Sequence, residues 1–128
     1  MLYRTTVVLL LAAIVTMPSS AQRSLPDGYT AVVEQSSRMR KGDQIVLGNV
    51  HAGRPMVVWP SGSVEPTTRA FQDDEHVVLI FVATLTGGTE TFYLNLKTKR
   101  FTLVEAILPL ATEPGFKPGV TQGSLRPQ

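Results

Sequence analysis

The sequence predicts a mainly β fold: a small antiparallel sandwich or partly closed barrel with a C-terminal three-strand meander. Three observations carry this reading. His76 to Leu85 is a run of β-branched and aromatic residues, apolar on both faces, as a buried strand requires. Two turn signals, Thr86-Gly87-Gly88-Thr89 and Lys97-Thr98-Lys99-Arg100, then divide the chain at strand-length intervals. Strands registered on those turns collect their apolar residues on one face.

The chain opens on an address. Arg4 precedes the apolar run Val7-Val8-Leu9-Leu10-Leu11-Ala12-Ala13-Ile14-Val15, and Pro18 and Ser19-Ser20-Ala21 follow it. That order of charge, apolar core and small residues predicts a signal peptide over residues 1 to 21. The apolar stretch from Thr5 to Met17 falls short of the about 20 residues that span a bilayer. No stable membrane span is therefore expected once the leader is removed. Cleavage after Ala21 leaves 107 of 128 residues, enough for a single β-rich domain over 22 to 108.

Gln22 to Gly28 reads as a flexible mature N-terminus. The segment from Tyr29 to Met39 admits two readings. Thr30-Ala31-Val32-Val33-Glu34 can open a strand. Alternatively, Asp27 can cap a short helix that Gly42 stops, which makes the fold α+β. The strand is favoured because Lys41-Gly42-Asp43 looks like a turn feeding Gln44-Ile45-Val46-Leu47. Ala52-Gly53-Arg54-Pro55 turns the chain into Met56-Val57-Val58-Trp59, and Pro60-Ser61-Gly62-Ser63 closes that strand. A polar loop is expected from there through Pro66 and Asp73-Asp74-Glu75.

In the meander, a Gly87-Gly88 turn sets Leu79 opposite Leu96, Phe81 opposite Leu94 and Ala83 opposite Phe92. A turn centred on Thr98-Lys99 sets Leu94 opposite Leu103 and Phe92 opposite Glu105. One face then holds Val77, Leu79, Phe81, Ala83, Phe92, Leu94, Leu96, Phe101 and Leu103 as a candidate core. Glu105 lands near the edge of that face, where a bulge or an exposed strand end would spare it burial. Residues 109 to 128 are rich in proline, glycine and polar residues and read as a flexible tail.

Composition narrows the function. Cysteine is absent, which removes disulfides, thiol nucleophiles, lipid-anchor sites and zinc–thiolate sites. Neither Asn49 nor Asn95 begins an Asn-x-Ser/Thr acceptor, so a periplasmic or secreted bacterial setting fits best. The formal charge of +2 drops by one when Arg4 leaves, and the basic residues are scattered. Nucleic acid, which selects a one-sided basic footprint, is not an expected partner.

No catalytic motif stands out. His76 follows Asp73-Asp74-Glu75, but the spacing matches no metal motif, and no metal or cofactor is expected. Ser61-Gly62-Ser63 lacks the nucleophile-elbow context. Glu34, Glu65, Glu90 and Glu105 show no paired-carboxylate pattern. Trp59 and Tyr93 can supply an aromatic platform for a sugar or peptide, although filling the core of a small domain is the favoured role for Trp59. The second face of the meander carries His76, Val78, Ile80, Val82, Tyr93, Asn95, Thr102 and Val104, mixed in character. Either the N-terminal strands cover it, or it is a recognition surface.

The expected function is an exported, non-enzymatic binding or inhibitor module with candidate binding residues His76, Tyr93, Asn95 and Trp59. Its partner would be a protein or small polar ligand in the cell envelope or outside the cell. Two alternatives stand beside it: an envelope or secretion accessory docking through a sheet edge, and a small hydrolase using His76 with a neighbouring carboxylate.

Overall fold

Apolar–polar alternation resolves into nine strands within residues 25 to 128, the part of the chain that the computed structural model describes. The signal peptide expected over residues 1 to 21 lies outside these described residues. In chain order the strands are β1 (Tyr29–Ser36), β2 (Gln44–Gly48), β3 (Met56–Val58), β4 (Val64–Pro66), β5 (Thr68–Gln72), β6 (His76–Ala83), β7 (Gly88–Asn95), β8 (Arg100–Ala106) and β9 (Gly119–Pro127). Leu110–Thr112 forms a single 3-10 turn. The segment after Asp27 is therefore strand, and the α+β alternative falls away. Among the described residues no helix is long and apolar enough to cross a membrane.

Neighbouring strands pair antiparallel in the order β4-β3-β2-β1-β9-β8-β7-β6-β5. Only Thr67 separates the two end strands, β4 and β5, in the sequence. Both edges of the sheet must meet there, so the sheet curls into a nearly closed barrel. The mainly β, partly closed barrel expected above is the fold observed. At the seam, Thr67 N–H donates to Pro55 O at 2.9 Å. Arg69 then bonds three carbonyls of the β2–β3 loop: Nε to Val50 O at 2.7 Å, and Nη2 to Asn49 O at 2.6 Å and Gly53 O at 3.1 Å. Thus β5 is sealed to its neighbour by a side chain where no ladder reaches. The polar loop expected through Pro66 is in fact this seam, and Pro66 is tolerated because it sits on an edge strand.

The meander is present as β6, β7 and β8, with a different register. Leu79 pairs with Phe92, four residues from the expected Leu96, and Leu94 pairs with Phe101, two residues from the expected Leu103. Both hairpins use four-residue loops, Thr84 to Gly87 and Leu96 to Lys99, in place of the shorter or later turns expected. Each loop ends on a left-handed residue, Gly87 at φ 67° and Lys99 at φ 57°. Both shifts are even, so no side chain changes face. Val77, Leu79, Phe92, Leu94, Phe101 and Leu103 are all buried.

The second layer is the opposite wall of the barrel. Ala31, Val33, Ile45, Leu47 and Val57 from β1 to β3 pack onto the same inner core. The N-terminal strands thus cover the inner face of the meander and leave its outer face open.

Strand β9 corrects the expectation of a flexible tail over residues 109 to 128. Gly119–Pro127 runs between β1 and β8 and contributes Thr121, Gly123 and Leu125 to the interior. Prolines and Gly115 concentrate in the connection before it. Within the strand, Gly123 is required by close approach: a Cβ there would lie 1.9 Å from Val32 O and 2.8 Å from Phe101 Cε1. The neighbouring β1 ladder shifts register between Val33 and Gln35 at that point.

Candidate functional site

Strict alternation on β6, β7 and β8 turns one set of side chains inward and the other outward. Outward on β6 stand His76, Val78, Ile80 and Val82; on β7, Tyr93 and Asn95; on β8, Arg100 and Thr102. A bulge in β5 completes the surface. Arg69 pairs with Leu79, but Phe71 pairs with Val78, so Ala70 is the extra residue. Without it Phe71 would oppose Val77 and face the interior; the bulge re-aims the ring outward. Phe71, Val78, Tyr93 and Thr102 then form one row across four strands. Phe71 is 52% exposed and Tyr93 50%, with half-buried Val78 between them. The row lies in a groove of about 450 Å³.

A second row, His76–Asn95–Arg100, closes one end of the groove. The His76 Nδ1 lies 3.0 Å from Asp73 Oδ1 and 3.1 Å from Oδ2. Asp73 Oδ1 also accepts the Glu75 and His76 backbone N–H groups at 2.8 and 2.6 Å. The Glu75 backbone bond, opposed by desolvation and joined by the His76 contacts, holds the Asp73 carboxyl below its ordinary range. A carboxylate only accepts, so Nδ1 carries the proton and Nε2 presents its lone pair, 3.5 Å from Asn95 Nδ2. Asn95 Oδ1 accepts Lys97 N–H at 3.1 Å and Thr98 N–H at 3.0 Å, which caps the β7–β8 loop. Arg100 Nη1 pairs with Glu34 Oε2 at 2.5 Å across β9, and Lys97 Nζ with Glu75 Oε1 at 3.4 Å.

Three of the four sequence-predicted site residues therefore come together. The expected register set His76 far along its strand from Tyr93 and Asn95; the observed one sets it directly opposite Asn95. Trp59 is elsewhere. Its indole packs on the inner core, 5.7 Å from the Phe92 ring, and Nε1 donates to Glu65 Oε2 at 2.9 Å. Phe92 and Tyr93 are adjacent and so face opposite sides of the sheet, which separates Trp59 from the groove. Phe71 is the residue that sequence reasoning missed. Its segment, Thr-Arg-Ala-Phe-Gln, has strand-like members, but nothing in it announces a bulge.

A second set of titratable groups sits inside the barrel. Glu90 and Glu105 pair across β7 and β8 on the inner face. Glu105 is only 7% exposed, and Arg38 Nη1 meets its Oε2 at 2.6 Å, so the strand-end exposure expected for it does not occur. Glu90 Oε2 is buried with no hydrogen-bond partner. Burial, then the charges of Glu105 and Glu65, push the Glu90 carboxyl up to about 7, with Arg38 opposing. Among the described residues, no group of three or more His, Asp or Glu side chains is placed to hold a metal ion.

A scan of protein-family models finds no match to this chain, and searches of curated proteins and of solved structures find none either.

Proposed function

We propose that this protein is an exported, non-enzymatic binding module that engages its partner on the outer face of β5 to β8. The observation that supports this reading most is the pair Phe71 and Tyr93, held half-exposed on either side of Val78. Large aromatic side chains normally contribute their area to a core. Here a bulge turns one of them outward on a rigid sheet, beside polar groups able to orient a partner. The leader expected over residues 1 to 21 supports export.

The edge-docking alternative has less to work with, because β4 and β5 run into one another through Thr67 and leave little continuous edge. The hydrolase alternative has its His–carboxylate pair, formed with Asp73. The His76 Nε2 faces the Asn95 amide, however, and the groove lining includes no serine.

A photo-crosslinking residue at Val78 tests the proposal, with the fully exposed loop position Leu85 as control. In the native host, adducts should form at Val78, diminish with Tyr93→Ala, and be absent at Leu85. Equal labelling at both positions would count against a recognition face. Tyr93→Ala is the better variant than Asn95→Ala, since the latter also removes a loop cap.

A further inference from the structure

We infer that the slot between Phe71 and Tyr93 takes a neutral saccharide, with one pyranose ring lying between the two aromatic side chains; this rests on the binding-face reading above. Spacing is the first argument. Phe71 and Tyr93 sit on the same row, two strands apart, with Val78 as the floor. Two inter-strand spacings separate their backbones by about 10 Å. A ring contacted on both sides needs about 7–8 Å between aromatic planes, from carbon–carbon contacts of about 3.5–4 Å. The ring contacts of the described residues are Tyr29 with His51 and Trp59 with Phe92, so Phe71 and Tyr93 do not close on each other.

Charge is the second argument. Arg100, the charged side chain in the groove lining, already has a counter-ion in Glu34, and the His76 ring is already bonded to the Asp73 carboxylate. An anionic or cationic ligand would have to displace one of these pairs. What remains uncommitted is neutral. Among the described residues the Tyr93, Thr98 and Thr102 hydroxyls have no hydrogen-bond partner, and Asn95 Nδ2 has only the long contact to His76. Hydroxyls both donate and accept, which matches the hydroxyl rim of a sugar.

Backbone geometry is the third. Strands β6, β7 and β8 are each paired on both sides along the groove floor. An extended peptide there could add no ladder, and recognition would fall to side chains alone. A pyranose suits that arrangement, with C–H faces for the rings and hydroxyl edges for the polar end.

The test is an amide-resolved NMR titration of isotope-labelled protein with cellotetraose, chitotetraose and maltotetraose. A tetragalacturonate and a capped Phe-Ala dipeptide serve as anionic and peptide comparators. At least one neutral tetrasaccharide should shift the Val78, Tyr93 and Thr102 amides, with an affinity that salt leaves unchanged. Tyr93→Leu and Phe71→Leu keep apolar bulk without a flat face and should each weaken binding about threefold to tenfold. Leu85→Ala should leave it unaltered. Failure of all neutral saccharides to move these amides overturns the inference. If the dipeptide moves them instead, the face binds but its ligand is not a sugar. If nothing moves them and the Val78 crosslink is also absent, the binding-face reading falls as well.

Discussion

Arg69 closes the barrel, and replacing it should open the seam. Arg69→Met keeps much of the aliphatic stem and removes the guanidinium. The structure gives that group three carbonyl acceptors, on Asn49, Val50 and Gly53, at 2.6 to 3.1 Å. Hydrogen bonds to charged groups are worth roughly 1.5–3 kcal/mol each. Three on one partly exposed fork do not add in full, because water can reach some of the abandoned carbonyls. An expected loss of about 2–4 kcal/mol follows. Arg69→Lys should recover only part of it, since an ammonium cannot present the same planar fork. Trp59, the only tryptophan, packs on the inner core and serves as the fluorescent reporter for urea unfolding. A loss below about 0.5 kcal/mol, the range of an ordinary surface site, would refute the idea that this side chain seals β5 to the β2–β3 loop.

Three further outcomes are expected. Gly123→Ala drives a Cβ to 1.9 Å from Val32 O. Since the obstacle is backbone, the cost should reach or exceed about 1–3 kcal/mol in the same urea assay, and a neutral result would mean the β1–β9 ladder is looser than described. Ending the chain after Thr112 removes β9 from between β1 and β8, so cooperative melting should disappear; an unchanged Tm would restore the flexible-tail reading. The folded Glu90 carboxyl, pushed up to about 7 from an ordinary value of 4.5, favours the protonated form. Its contribution is complete below about pH 4.5 and is lost as pH rises through about 7. Glu90→Gln should therefore stabilise the protein at pH 8 by about 1–2 kcal/mol, discounted for partial exposure, and change little at pH 4.5. Equal effects at both pH values would show that Glu90 does not titrate in this window.

The inner face of the meander was legible from the residues because strand side chains alternate with a period of two. Even with both hairpins misplaced, Val77, Leu79, Phe92, Leu94, Phe101 and Leu103 kept their face, since the slips were even. Parity is a local property of each strand. Register is set by loop conformation, and a Gly-Gly pair reads as a two-residue turn although the chain uses four residues ending on Gly87. That slip mattered for the groove, since the true register sets His76 beside Asn95.

The order of residues along the chain determined the mainly β class, through an apolar run and turn signals at strand spacing, and alternation set Tyr93 and Asn95 on the outer face; the lack of cysteine excluded disulfides. Only the tertiary structure decided that Trp59 faces the core, that β9 is a central strand, that a bulge turns Phe71 outward and that Glu90 and Glu105 meet inside. Each of these depends on which distant segment lies alongside. The buried polar groups show it most plainly: Glu105 is tolerable only because Arg38, 67 residues away in sequence, reaches it. No window of local sequence carries that pairing, because the cost of burying a charge is settled by the neighbour that folding supplies.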